Sequence, residues 1–362
     1  MKVGRRAGAS VELVDLPTPR IGPGEIRVAL AACGICGTDL EKLRGNYRSS
    51  GGILGHEPVG TVAEVGDGVP GLAVGDRVFV HHHVPCYRCA VCRRGDLTFC
   101  PEYAATNLDP GGFAESFRVS AVHVARGAVL PLADSVGWAE GALLEPAGCA
   151  WTALRAVRFP PGGRLLLFGL GPVGLLYARL ARAWGASWIG GTELAPLRRE
   201  AARRGGIDAV FDPSDPEAMR RAIRAEVGPD GIDLAVVATG APAAVEASFE
   251  FVRRGGTVNL FGLPEAGTPL RQDLQALYLR GIRIVPTYAT TEADLADLHA
   301  LLAAGRLPLA DLVTHRYPLA EIGTAFATAR RPEAALKVLV TGPAYPEAGT
   351  GQTPDPAGPG RS

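Results

Sequence analysis

An apolar run, Arg164-Leu165-Leu166-Leu167-Phe168, passes into Gly169-Leu170-Gly171-Pro172-Val173-Gly174 and then into an apolar-periodic stretch from Val173 to about Trp184. A buried strand, a glycine turn and an amphipathic helix in that order form the start of a crossover in a parallel sheet. Gly169 permits the tight turn, Gly171 lets a pyrophosphate approach the backbone, and Gly174 allows the helix to pack close on the strand. The helix amino terminus adds N–H donors and a positive dipole, so the turn is a candidate dinucleotide site. Without its flanks the same pattern is an ordinary strand-to-helix turn.

The pattern continues downstream. Strand runs are expected at 188–190, 209–211, 234–238, 257–261 and 282–285, separated by helical stretches such as 216–226 and 243–252. Such alternation implies a parallel sheet covered on both faces. Glu193 falls about twenty residues beyond the glycines, at the end of the second strand run. A carboxylate there would accept from the adenosine ribose hydroxyls and repel a 2′-phosphate. NAD is therefore expected over NADP, with Arg198 and Arg199 able to reach a phosphate if Glu193 points away. Gly169, Gly171, Pro172, Val173, Gly174, Glu193 and Arg198 are the candidate cofactor contacts.

The first third reads differently. From Glu25 to about Val124, short β-rich runs at 26–32, 60–65 and 77–80 alternate with Gly and Pro, the pattern of a partly open β-barrel carrying loops. One loop holds Cys86, Cys89, Cys92 and Cys100, the ligand set of a tetrahedral four-thiolate zinc site. Four sulfurs leave no position for water or substrate, so this zinc would be structural. Reduced surface thiols or a disulfide cluster are the other readings of the same spacing. Elsewhere, Cys33-Gly34-Ile35-Cys36-Gly37-Thr38-Asp39 ends a strand run, and Gly55-His56-Glu57-Pro58-Val59-Gly60 follows after a short excursion. A thiolate and an imidazole so separated begin a zinc site with an open position, whose third ligand lies farther along.

At 362 residues with 47% hydrophobic residues, the chain is long enough for two cores. Its formal net charge of zero argues against nucleic-acid or anionic-membrane partners, and no apolar run is long enough to span a bilayer. A reducing cytoplasm is expected, with no apolar signal core at the amino terminus. Arginine greatly outnumbers lysine, which occurs only at Lys2, Lys42 and Lys337; the excess reads as genome composition before function.

These motifs together resemble the zinc-dependent medium-chain alcohol and polyol dehydrogenases, in the branch of sorbitol and threonine dehydrogenases, over roughly residues 10–341. The run from Gly55-His56-Glu57 through Gly60 to Gly66 and Val69 is similar to the family's zinc signature. The resemblance implies a Rossmann parallel-sheet cofactor domain, 148–289, and a GroES-like β-barrel catalytic domain, 1–147 with 290–341. It also implies a zinc lobe at about 84–101, while the Pro- and Gly-rich segment 342–362 is expected to be a disordered tail. Cys36 and His56 match the catalytic zinc ligands, and Glu145-Pro146 looks like the acidic third ligand of the polyol branch. Cys149, one helical turn on, is the rival ligand. Glu57 matches an acid near the metal that in some members moves onto it.

By the same resemblance, Thr38 is the hydroxyl relay for the alcohol proton, and Asp39 orients His56. Helix capping is an alternative role for both residues. Glu41 stands where many relatives have a histidine that ends the relay, so either Glu41 or water takes the proton. Two zinc ions per chain, NAD, a secondary alcohol substrate of polyol, sugar-like or amino-alcohol type, and a homodimer or homotetramer are implied, the strand run 282–285 being a candidate edge for assembly. Zinc-free quinone or enoyl reduction on the same scaffold, or a non-catalytic zinc-binding protein, are the alternatives.

Four further expectations concern single side chains. His81, His82 and His83, read as consecutive strand residues, are expected on alternate faces and so unable to converge on one ion. His82 falls where relatives line the substrate pocket. Lys337 is expected either to touch cofactor phosphate or to snorkel at the surface. Trp138, Trp151, Trp184 and Trp188 are read as packing.

Overall fold

The computed structural model describes residues 1–45, 52 and 54–346. The tail expected from 342 is ordered at its start: Gly342 and Ala344 donate their N–H groups to the Ala31 and Leu30 carbonyls, both at 2.9 Å, and the rest of it, from 347 onward, lies outside the described residues.

Six strands make one wholly parallel sheet. In chain order they are Arg164–Phe168, Trp188–Thr192, Ala209–Phe211, Ile232–Val237, Val252–Leu260 and Arg283–Pro286; in space the order is third, second, first, fourth, fifth, sixth. The first strand is buried along almost its whole length because helices cover both faces. Leu165 and Leu167 enter one core cluster, and Leu166 and Phe168 enter another, as a period of two requires. Burying each such leucine contributes about 1.5–3 kcal/mol. The spatial order reverses beside the first strand, and a crevice at such a reversal, beyond the carboxyl ends of the strands, is where open parallel sheets bind ligands.

The other sheet is mainly antiparallel and built on Ile26–Gly34, which pairs with Pro58–Val65, Ser116–Val119 and Lys337–Thr341. Arg77–Val80 and Val129–Pro131 continue it on one side, and Val313–Pro318 pairs in parallel with Lys337–Thr341 on the other. Strand Lys337–Thr341 thus brings the chain back to the sheet of the amino-terminal segments. Its pairing sets Val340 opposite Cys33 and Leu339 opposite Gly34, while Pro58 pairs with Cys33 from the other side. Three distant segments therefore end together: the strand leading to Cys36, the residues His56 and Glu57 before Pro58, and Lys337.

Helix Leu144–Val157 leaves this sheet and packs against helices Pro172–Ala183 and Glu292–Ala303, the latter carrying the chain back. One cluster of buried residues, including Val59, Phe79, Leu143, Leu144, Leu154, Leu167, Leu176 and Leu298, runs without a break between the two sheets. Among the described residues, no helix is long and apolar enough to cross a membrane.

Candidate active site

Cys36 is the amino-terminal cap of helix Gly37–Arg44, and its sulfur accepts the Thr38 N–H at 3.4 Å. Asp39 completes the cap by accepting Cys36 N–H at 3.1 Å, and its second oxygen accepts Gly55 N–H at 3.1 Å. The wholly buried Asp39 lies 3.5 Å from His56 Nδ1. Burial pushes its carboxyl up, but the His56 ring outweighs that and holds it at about 2. Burial alone would strip the His56 proton, yet Asp39 and Cys36 draw it on and raise the ring well above its ordinary range. A positive charge is favoured here.

The third member of this cluster is Glu57. Single ligand atoms of Cys36, His56 and Glu57 lie within 4.8 Å of one another. Glu57 is fully buried, and burial pushes its carboxyl up even against a neighbouring ammonium. That ammonium is Lys337, 2.5 Å from one Glu57 oxygen and 2.7 Å from the other. Lys337 is 2% exposed and remains charged: burial pulls its pKa down, but the Glu57 carboxylate and the Cys36 sulfur raise it beyond the ordinary value. Neither role expected of Lys337, phosphate contact or surface snorkelling, matches this place. The pair needs Gly34, because a Cβ there would stand 1.8 Å from a Glu57 oxygen and 2.7 Å from the Lys337 stem.

Glu145, expected beside Cys36 and His56, sits in the first turn of helix Leu144–Val157 and groups with His81 and His82 within 4.8 Å. The His82 ring is 5.0 Å from that of His56, so the two groups adjoin. Cys149 lies one turn along and donates its thiol to Glu145 at 3.5 Å. Burial, with Glu145 nearby, pushes that thiol up and keeps it protonated. The histidine expectation needs correction: the strand ends at Val80, alternation lapses, and His81 and His82 face Glu145 together. Burial, together with the other rings, holds His82 well below its ordinary range and thus neutral.

His82 Nδ1 is buried with no hydrogen-bond partner among the described residues, while the buried His56 Nδ1 and Glu57 Oε2 have only their charge pairs, Asp39 at 3.5 Å and Lys337 at 2.5 Å. Buried polar groups are rarely left so, and a soft sulfur, imidazoles and carboxylates around them form the donor set of a zinc site with room for a further ligand. Thr38 is half-buried on the same helix turn as Cys36. Glu41 is held in a 2.6 Å ion pair with Arg44.

The four-cysteine loop fits zinc in its own way. Neighbouring sulfurs lie 3.5 to 3.9 Å apart, and none forms a disulfide. A tetrahedron with Zn–S of about 2.3 Å has edges of about 3.8 Å. Backbone N–H groups of Cys86, Cys89 and Cys92 point at the sulfurs at 3.3 to 3.4 Å. Without a cation the four cannot all ionise: backbone N–H donors pull Cys86 to about 6, while burial and its thiol neighbours push Cys92 up to about 12.

At the reversal of the parallel sheet, Gly169 has φ of +101°, and a Cβ on Gly174 would lie 2.2 Å from the Gly169 carbonyl. Gly171 caps the helix, with Pro172 in its first turn followed by Val173. Glu193 follows the second strand, and its two oxygens accept Leu170 N–H and Ala195 N–H, both at 3.0 Å. Arg199 is engaged by the Glu193 and Leu194 carbonyls and by Asp212. The Arg198 guanidinium lies 3.4 Å from where a Gly171 Cβ would be, and its buried Nε has no partner.

Two family models cover most of this ground. The alcohol dehydrogenase GroES-like domain matches residues 22–130 and the zinc-binding dehydrogenase model matches residues 172–304. The chain belongs to the zinc-dependent medium-chain alcohol and polyol dehydrogenases. Sorbitol dehydrogenase of Bacillus subtilis is 33% identical over 91% of this chain and 94% of its own length. L-threonine 3-dehydrogenase of Pyrococcus horikoshii is 32% identical over 86% and 89%. Among solved structures, an alcohol dehydrogenase from a Thermus species superposes with TM-score 0.83 at 28% identity, covering 94% of this chain and 99% of that one. The GroES-like and Rossmann expectations stand, and as a medium-chain dehydrogenase the chain is an oxidoreductase. Sequence reasoning missed the Lys337–Glu57 pair, the need for Gly34 and the His81–His82–Glu145 group. The available signal was a rare lysine in an arginine-rich chain.

Proposed function

We propose that this dehydrogenase oxidises a polyol or similarly hydroxylated secondary alcohol to its ketone, reversibly, using NAD. The catalytic domain is 1–147 with 290–341, and 148–289 holds the cofactor. The observation that carries the reading is the convergence of a thiol, imidazoles and carboxylates in two adjoining buried groups, Cys36 with His56 and Glu57, and His81 and His82 with Glu145, where His82 Nδ1 is left without a partner. Cys36 and His56 would hold the catalytic zinc, with Glu57 and Glu145 as the carboxylates able to complete it. Cys86, Cys89, Cys92 and Cys100 would hold the structural one. When bound, zinc supplies Lewis acidity toward an alcohol oxygen and the dinucleotide supplies a hydride acceptor.

The chain's own residues do the rest. Asp39 orients His56 from behind. Thr38, half-buried beside Cys36, carries the alcohol proton outward. Glu41 is the candidate acceptor, within reach of its partner Arg44. The neutral His82 ring offers hydrogen bonding to a second hydroxyl, which favours a polyol over an aliphatic alcohol. Gly169 to Gly174 cradle the pyrophosphate. Glu193, beside Leu170, selects a free ribose hydroxyl, so NAD is favoured over NADP.

The exposed sheet edge supports assembly as a homodimer or homotetramer. Arg283–Pro286 is the last strand, and helix Leu274–Arg280 beside it buries none of its residues, with Leu274 76% and Tyr278 85% exposed. A panel of polyols, amino alcohols and aliphatic alcohols, assayed for reduced cofactor with NAD and with NADP, tests the reading. Turnover of vicinal diols with NAD is expected. Turnover confined to simple aliphatic alcohols, or to NADP, contradicts it.

A further inference from the structure

The four-cysteine loop reaches farther than a stabilising lobe requires. Tyr87, between Cys86 and Arg88, holds a left-handed backbone with φ of +58°, a conformation that a bulky residue keeps only when its surroundings demand it. Its hydroxyl donates to one oxygen of Glu292. The other Glu292 oxygen accepts the His81 Nδ1–H at 3.4 Å. On the far side of His81, Nε2 lies 3.4 Å from the Tyr103 hydroxyl, which donates to the Thr290 carbonyl at 2.7 Å. Tyr103 packs on Cys86, Cys92 and Cys100. The lobe thus holds His81 by hydrogen bonding through Tyr87 and Glu292, and by ring contact with Tyr103 at 6.1 Å.

His81 is adjacent to His82, whose ring it meets edge-on at 5.3 Å, and both face Glu145. Glu292 also opens the helix that carries the chain back from the parallel sheet. In the same turn Asp294 accepts from Thr152 and Thr291 at 2.7 and 3.0 Å and pairs with Arg155. One side chain, 8% exposed, therefore joins the lobe, the returning helix and the histidine wall of the active site.

We infer that Glu292 is a positioning residue that ties Tyr87 of the four-cysteine lobe to His81, and so fixes His82 and Glu145 beside Cys36 and His56. Order in the lobe is thereby transmitted to the active site. The inference rests on the functional reading above for what that site does, and on the side-chain geometry for the tie itself.

The test uses the full-length protein loaded with cobalt(II), whose visible bands report coordination geometry, together with kcat, KM and metal content. In Glu292→Ala we expect kcat/KM to fall about tenfold, mainly in kcat, as a displaced supporting group does. The absorption of the Cys36–His56 centre should shift while metal content is kept. Tyr87→Phe should do the same more weakly, and Glu292→Gln, which still accepts from Tyr87, should recover most of the loss. A purely structural lobe predicts otherwise: lower thermal stability in both variants, kcat/KM within about twofold and unshifted cobalt bands. That result overturns the inference. If Glu292→Ala does not fold, Tyr87→Phe, which loses one hydroxyl, decides alone. If the unaltered enzyme oxidises no alcohol, the functional reading fails, and the cobalt bands still decide this one.

Discussion

The ammonium of Lys337 stands 2.5 Å from a carboxylate oxygen of Glu57, and the two side chains come from segments 280 residues apart in the chain. Strand Lys337–Thr341, lying against Ile26–Gly34, brings them together. Removing one partner of such a pair leaves an uncompensated buried charge. In the metal-free protein, Lys337→Met should therefore lower stability by about 3–5 kcal/mol. Adding Glu57→Gln should recover most of this, as guanidinium unfolding of the single and double variants will show. Equal losses in single and double variants would mean that packing of the lysine stem, and not its charge, matters.

Zinc in the four-cysteine lobe is expected to be lost from Cys100→Ser while the other centre keeps its metal. The measurement is zinc content by elemental analysis, with limited proteolysis locating new cleavage between residues 84 and 101. Because a structural zinc contributes on the order of 10 kcal/mol of binding to the folded lobe, melting should drop by roughly ten degrees or more.

Glu193 holds Leu170 N–H and Ala195 N–H at the glycine turn, and on the proposed reading it also selects the cofactor. Glu193→Gln retains an acceptor and loses the charge. The ratio of kcat/KM with NAD to that with NADP should fall about ten- to a hundredfold, equivalent to roughly 1.4–2.8 kcal/mol. An unchanged ratio would place cofactor selection with Arg198.

Acid should weaken the fold through its neutral histidines. Burial pushes His83 down to about 3 and His82 well below 6.5, and it also lowers His123, which sits between Ser120 and the His82 carbonyl. In the unfolded chain these rings titrate near 6.5, so below that pH the unfolded state binds protons that the folded state refuses. Their contribution is complete above about 6.5 and is lost as pH falls, by about 1.4 kcal/mol per pH unit for each ring that stays neutral. Guanidinium midpoints of the protein and of His83→Gln between pH 7 and pH 5 should show a shallower dependence in the variant.

Much of this was legible in the sequence, for physical reasons. The parallel sheet could be read because fully buried strands carry uninterrupted apolar runs and Gly171 and Pro172 start the helix. Helix Pro172–Ala183 lies within one residue of the expected 173–184. The cysteine lobe was legible because its ligands are local in the chain. What escaped depends on contacts between distant segments. Lys337 meets Glu57 only through strand pairing, and no spacing announces it. His81 and His82 turn together because the strand stops at Val80, and strand ends are poorly marked by periodicity. Glu145 was singled out, but its grouping with these histidines follows from the approach of helix Leu144–Val157, which only the packed structure shows.

The account turns on a metal held by Cys36 and His56, and Cys36→Ser tests it most directly. Zinc content and alcohol-dependent reduction of NAD should be measured on the same preparation. The expected result is loss of one equivalent of zinc per chain, retention of the lobe zinc, and a fall in kcat/KM of roughly a hundredfold or more. A Cys36→Ser protein with undiminished zinc and near-normal turnover would contradict it.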